Sequence, residues 1–455
     1  MKKRIPLTII FGLFLSPMKI EGKISLEEKI EEVIKKELPK DAKIGIKFKY
    51  LNGKEIYSLN EKELFIPASN VKLVTVAASL KFLGPDYKFK TKIFVDKLHK
   101  GKVNTLYIKT KGDPQFTSED LWLLTNELKI LGLKKVEKLV VDNSFFESKF
   151  SPGFYENLDE AARPYNAPTS SSSLNYNTIK FYVFPTKIGK APKVYVFPKF
   201  DVEIKNFAIT SSIDKIDIKR EAYSDVFYVN GKVSTQKVFY RSISNPEKYY
   251  LESFKFFLEK NKIKVEKAIL GKLKNGARIF YIYESDPLAK IIYDANKSSL
   301  NFVCDQILRA MGAEIKGDGS FESGLKVVRN FLEEVGIENY VLVDGSGLSR
   351  KNRLSPSQIV KLLEYAINNF EIFPEFVSSL PISGTDGTLK KRFKDTKGEI
   401  RAKTGHLNGV SALSGYTKKN EKIVVFSIMV NNFKKKDSNK VESLEEKIYE
   451  IIKKI

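Results

Sequence analysis

The sequence predicts an α/β fold: one layered domain closed by both ends of the chain and interrupted by a long, mostly β insertion. Three observations carry this expectation. Helix and antiparallel-strand patterns recur at both termini, the middle from about Pro85 to about Glu284 is dominated by short β patterns, and 455 residues is about three times a usual domain length. With 42% hydrophobic and 29% charged residues, the composition is that of a globular chain, which excludes a disordered, collagenous or multi-pass membrane protein.

The elements follow in order. Met1-Lys2-Lys3-Arg4 and the apolar run Ile5 to Leu15 have the layout of a secretory signal peptide, too short to span a bilayer, so residues 1–22 are expected to direct export to a secreted or periplasmic location. Leu26 to Leu38 reads as an amphipathic helix, with Ser25 and Glu28 at capping-box spacing. Lys43 to Tyr50 and Lys54 to Leu59 read as strands joined at Leu51-Asn52-Gly53, since Asn-Gly favours a tight hairpin. Pro67-Ala68-Ser69 opens a largely buried helix, where a proline loses no intrahelical hydrogen bond. In the insertion, strand patterns include Val103 to Lys109, Lys138 to Val141, Thr178 to Val183, Val194 to Phe197 and Arg278 to Tyr283; the clearest helices are Ser118 to Leu131 and Pro246 to Asn261. The far end mirrors the start, with an edge strand at Ala402 to Thr404, a hairpin of Val410 to Tyr416 and Lys422 to Val430, and a helix from Ser443 to Ile455.

Scarcity narrows the chemistry. Two histidines, His99 and His406, and one cysteine, Cys304, exclude an intrachain disulfide and a Cys/His zinc cage. Acid/base work is therefore expected from lysine or carboxylate, and no metal or cofactor is expected. Cys304 reads as a small core residue and His99 as a solvated loop residue. The net charge of +23 suits an anionic surrounding such as a wall polymer or lipid head groups, although lysine spread along the whole chain needs no special partner. No basic recognition helix supports nucleic-acid binding.

Ser69-Asn70-Val71-Lys72 places a hydroxyl and an amine three residues apart, hence on one helical face, as an activated serine with a lysine base requires. The spacing is weak alone, because Ser212/Lys215 and Ser234/Lys237 repeat it. Two further elements strengthen it. Ser299-Leu300-Asn301 opens a helix, and Lys403-Thr404-Gly405 lies on a strand whose glycine admits a close backbone approach.

In that order, Ser-x-x-Lys, Ser-x-Asn and Lys-Thr-Gly resemble the penicillin-recognising serine enzymes. Gly112-Asp113-Pro114, Val140 to Phe145, Ser285 to Ala289 ahead of Asn296 to Ser299, Asp344 to Arg350, and Asp386-Gly387-Thr388-Leu389 resemble one family among them. It is peptidase family S13, the D-alanyl-D-alanine carboxypeptidase/endopeptidases of the low-molecular-mass class C penicillin-binding proteins. The resemblance runs from about Ile44 to about Val430. It implies a penicillin-binding-protein/serine β-lactamase-like transpeptidase domain, an antiparallel sheet with helices on both sides, formed by 23–85 and 285–455. The insertion would be two smaller domains, 86–190 and 191–284.

The resemblance also implies roles. Ser69 would attack the carbonyl between terminal D-alanines of peptidoglycan stem peptides, with Lys72 as base, made neutral by partial burial and by Lys403 beside it. Ser299 and Lys403 would relay a proton to the leaving amine, and Asn301 would orient the substrate amide. The backbone N–H groups of Ser69 and His406 would form the oxyanion hole, with Thr404 and Gly405 binding substrate. The family usually has Ser or Thr where His406 stands, so the side-chain contact to the substrate carboxylate is open at this position. Arg350 and Asp142 would flank a pocket for a diaminopimelate side chain, or else form ordinary salt bridges. β-Lactams would acylate Ser69 and act as inhibitors, and the positive charge is compatible with peripheral association with membrane or wall. Two rival readings are a β-lactamase and a non-catalytic wall-binding protein. The 230-residue separation of Ser69 and Ser299 disfavours the first, and the intact catalytic elements disfavour the second.

Overall fold

Reciprocal hydrogen bonds between Ser25 and Glu28 close the anticipated capping box, and the helix Leu26–Glu37 follows with Ile30 buried beneath it. The computed structural model describes residues 25–146 and 149–454; the expected signal peptide lies outside the described residues. Lys43–Tyr50 and Glu55–Leu59 form the anticipated hairpin. It docks on the C-terminal one, giving a five-stranded antiparallel sheet in which Arg401–Leu407 is followed across the sheet by Val410–Lys419, Lys422–Asn431, Lys43–Tyr50 and Glu55–Leu59.

Period-two alternation divides the sheet's faces. Val424, Phe426, Ile428 and Val430 join Phe48 and the two terminal helices in one core, while Val425 and Met429 face the helices on the other side. Phe48 stacks on its cross-strand partner Phe426 with ring centroids 5.1 Å apart. The final helix, Ser438–Lys454, begins more than a turn before the Ser443 expected from the sequence. Thus an antiparallel sheet between helical layers, with the helices Leu26–Glu37 and Ser438–Lys454 on one face, is the arrangement found.

Strands of the insertion pair differently from their order in sequence. Its larger sheet runs Lys264–Leu270, Lys135–Asp142, Lys102–Lys109, Lys90–Val95, Arg278–Glu284, gathering strands from both ends of the insertion. Ser118–Ile130 is the crossover between its parallel strands Lys102–Lys109 and Lys135–Asp142. The boundary expected at 190/191 falls within a hairpin, because Thr178–Phe184 and Lys193–Phe197 pair antiparallel. One apolar core continues from Leu106 and Leu139 through Phe181 to Phe227. Strand periodicity marks faces but not partners, so the sequence carries no signal of this nesting.

A segment of short turns, from Lys149 to Ser173, returns from the insertion to the catalytic part. Gly153 packs against Leu348 so closely that a Cβ would stand 2.7 Å from its Cγ, and Ser170 N–H donates to Gln306 Oε1 on the Asn301–Lys316 helix.

A buried ion pair ties the loop after the Asp386 run to the last helix. Arg392 donates to Glu445 and Glu446, each at 2.9 Å, with Glu445 wholly buried and also accepting from Ser411 Oγ. Arg392→Met strands a buried carboxylate and is expected to cost about 3–5 kcal/mol in denaturant unfolding, whereas the double variant with Glu445→Leu regains most of the loss.

Candidate active site

Ser69 lies in the single turn Ala68–Asn70 that leads into the helix Val71–Leu83, and Lys72 follows one turn later on the same face. The amine of Lys72 donates to three oxygens: Ser69 Oγ at 2.8 Å, Asn301 Oδ1 at 2.7 Å and the Ser346 carbonyl at 2.6 Å. Two of these only accept. When the amine is neutral its two hydrogens are taken by Asn301 and Ser346, and its lone pair is left facing the serine hydroxyl.

A second serine–lysine pair lies alongside. Lys403 donates to Ser299 Oγ at 2.9 Å and to the Thr404 carbonyl at 2.7 Å. Thr404 Oγ1 donates to Thr388 Oγ1 at 2.7 Å, and Asn301 Nδ2 donates to the Tyr165 carbonyl at 3.2 Å. The three sequence elements are thus joined by hydrogen bonds across chain separations of 229 and 104 residues. The repeated Ser212/Lys215 and Ser234/Lys237 spacings fall among turns and strands of the insertion, where no helical face brings them together.

Backbone strain collects around the two serines. Ala68 has φ +45° and Ser299 φ +56°, left-handed conformations that cost non-glycine residues about 1–3 kcal/mol each. Gly347, at φ +80°, meets the turn so closely that a Cβ would stand 1.8 Å from the Ala68 carbonyl oxygen. From the other side, a Cβ at Gly405 would be 3.1 Å from Ser69 N. Only glycine lets the edge strand Arg401–Leu407 run this near the serine N–H. His406 follows on that strand, paired in register with Ser411, its side chain exposed.

Both amines are fully buried. Burial holds Lys72 below the ordinary lysine range, opposed by the nearby Cys304, Asp305 and Asp344. Burial and then the charge of Lys72 hold Lys403 well below it. Burial, one of the two expected levers, acts first on both amines, and charge on either one disfavours charge on the other.

Those carboxylates also build the loop beneath Lys72. Asp305 accepts from Gly345 N–H at 2.9 Å and Ser346 Oγ at 3.1 Å; Asp344 accepts from Gly347 N–H and Ser349 N–H, each at 2.7 Å. Burial and the charge of Asp344 push Asp305 up to about 7. Cys304 is a core residue whose thiol burial pushes up to about 11, and His99 is exposed in a turn, as expected for both.

Arg350 is exposed on the rim, donating to the Asn408 carbonyl at 3.0 Å, while Glu156 accepts from its backbone N–H. Asp142 is 2% exposed; its carboxylate accepts from Ser144 N–H, Ser144 Oγ and Leu273 N–H and lies 3.6 Å from the Lys109 ammonium, so it ties its own loop to the segment after Lys264–Leu270 and forms the alternative salt bridge. Tyr165, Ser346, Asp305 and Glu156 were not singled out as site residues by sequence. Tyr165 and Ser346 act through their carbonyls, which leave no residue-type signature, and Asp305 and Glu156 through carboxylates that hold the Asp344 to Arg350 loop, in which only Arg350 is assigned a role from sequence.

Comparison with known proteins agrees with this arrangement. A D-alanyl-D-alanine carboxypeptidase of Actinomadura sp. (strain R39) is 30% identical over 84% of this chain and 76% of its own. The D-alanyl-D-alanine carboxypeptidase DacB of Haemophilus influenzae is 26% identical over 95% of this chain and 94% of its own. In fold, the crystal structure of penicillin binding protein 4 (dacB) from Haemophilus influenzae superposes with a TM-score of 0.82 at 24% identity, covering 92% of this chain and 98% of that one. The sequence pattern of one peptidase family matches residues 26–449, nearly all that is described here, and the chain belongs to that family, the D-Ala-D-Ala carboxypeptidase 3 (S13) family.

Proposed function

We propose that this S13 D-Ala-D-Ala carboxypeptidase works through an acyl-enzyme on Ser69, with Lys72 as its base. The observation that carries the reading is the set of acceptors around Lys72, which leaves the neutral amine one direction for its lone pair, toward Ser69 Oγ. Ser69 Oγ bonds to the carbonyl carbon between the terminal D-alanines while Lys72 takes its proton. The oxyanion is held by the N–H groups of Ser69 and His406. The C–N bond then breaks as Ser299, resupplied by Lys403, protonates the departing amine, and water hydrolyses the ester. Cleaving a terminal residue or a cross-link uses the same attack, and a β-lactam carbonyl enters by the same route.

The two depressed lysines give substrate binding a chemical consequence. A substrate carboxylate beside Lys403 and Thr404 favours the charged form of Lys403, and that charge in turn drives the proton off Lys72. Arg350, exposed at the rim, is suited to a second carboxylate on the stem peptide. Asp142 supports this pocket by shaping its loop. Residues 1–22 export the chain, placing the site where stem peptides are found.

Three outcomes test this reading. Ser69→Ala abolishes labelling by fluorescent penicillin, while Ser212→Ala and Ser234→Ala label as wild type; equal labelling of the Ser69 variant overturns the assignment. Lys72→Met lowers the acylation rate about 10²–10⁴-fold in stopped-flow measurements. For the wild type, that rate declines toward acid as Lys72 gains its proton, with a midpoint below the 10.5 of ordinary lysine. Gly347→Ala forces the Ala68 carbonyl aside, so acylation drops more than tenfold in the same assay.

A further inference from the structure

The inserted three-stranded sheet turns one face to the core and leaves an aromatic face in water. Phe181 and Val183 point inward, while across the strands Lys180 lies between Tyr240 and Phe197, and Tyr182 lies between Val238 and Tyr195. Tyr240 is 52% exposed and Tyr195 54%, large rings in a row where a solvated sheet face usually carries polar residues. The Lys180 ammonium stands 4.9 Å from the Tyr182 ring centroid and 5.8 Å from that of Tyr240, holding its charge against both rings.

This face runs into a cleft of about 290 Å³, near the lower end of the size that takes a small ligand. Its floor is strained. Asn175, Tyr176 and Asn177 have successive φ values of +52°, +56° and +51°, held there by Asn175 bonding to Ser118 and Tyr249 and by Asn177 bonding to Pro168. Three consecutive left-handed non-glycine residues are costly, and such strain gathers at working sites. The turn sets Tyr176 between the cleft and the catalytic helix, its ring 6.1 Å from that of Phe302, the neighbour of Asn301. Tyr176 thus joins the wall of the cleft to the helix that carries Asn301.

We propose that this cleft and aromatic face bind the glycan strand of peptidoglycan. Flat rings pack against the C–H faces of pyranoses, and the Glu119 carboxylate, the Lys180 ammonium and the Tyr240 hydroxyl, all lining the cleft, can meet acetamido and hydroxyl groups. Charge decides between polymers. On a chain of net charge +23, the cleft is lined by one cation, Lys180, and one carboxylate, Glu119, a balance that suits an uncharged sugar chain and offers nothing to nucleic acid or an anionic lipid surface. The proposal deepens the carboxypeptidase reading by naming how the polymer carrying the stem peptides is held.

The test uses the full chain with chitohexaose and with peptide-free glycan strands as probes, binding being read by calorimetry and co-sedimentation. The wild type is expected to bind both saturably, and Tyr182→Ala/Tyr240→Ala to bind at least tenfold more weakly, while fluorescent-penicillin labelling reports that the variant is folded. Absence of wild-type binding, equal binding by the labelled variant, or binding of a sugar-free stem peptide at this face overturns the proposal. Loss of penicillin labelling in the wild type would instead overturn the carboxypeptidase reading. Milder variants, Tyr182→Leu and Tyr240→Leu, keep the test open if the double alanine variant fails to label.

Discussion

Two lysine amines sit out of water with no carboxylate in direct contact, each held by neutral oxygens from serine, asparagine and backbone. A charged ammonium in that position is disfavoured by burial, and an unbonded amine would also be costly. Almost everything near the site answers this constraint. Asp305 and Asp344 stand one shell away, close enough to temper the loss of hydration at Lys72 yet bound to the loop rather than to the amine. A carboxylate in direct contact would have fixed the proton on lysine and removed the base.

The same constraint explains where strain is tolerated. Ala68 and Ser299 precede or carry a reacting hydroxyl and both are left-handed, and the Ala68 turn is packed from opposite sides, by Gly347 from below and Gly405 from the edge strand. The rigid sheet behind Gly405 and the helix carrying Asn301 bring the groups together, while the turn between two helices supplies the Ser299 hydroxyl and the Ser346 loop a carbonyl. Serine and lysine are thereby positioned by regular elements, which is the more exact way to hold a reactive pair.

Much of this was legible from residues. Capping box, hairpins and helix starts follow local rules, and Ser69, Lys72, Ser299, Asn301 and Lys403 could be chosen because their side chains are the chemistry. What was not legible depends on atoms every residue has. The Ser346 and Tyr165 carbonyls look like any others in a sequence, and the nested pairing that joins Lys264–Leu270 to Lys135–Asp142 depends on long-range contacts with no local period. The offset at Lys72 was likewise hidden, because Asp305 and Asp344 approach its amine only in the folded chain.

The order of strands across the catalytic sheet has a bearing on when activity begins. The strand that pairs with Lys43–Tyr50 is Lys422–Asn431, so the first hairpin made waits for nearly the last before it has a neighbour on that side. Contacts of such sequence separation form late in folding. The nucleophile is synthesised early and its partners emerge after the whole insertion, with Lys403 among the last. A nascent chain therefore carries Ser69 without its second amine or its sheet, and the site stays chemically silent until Lys403 and the strand Lys422–Asn431 have been made.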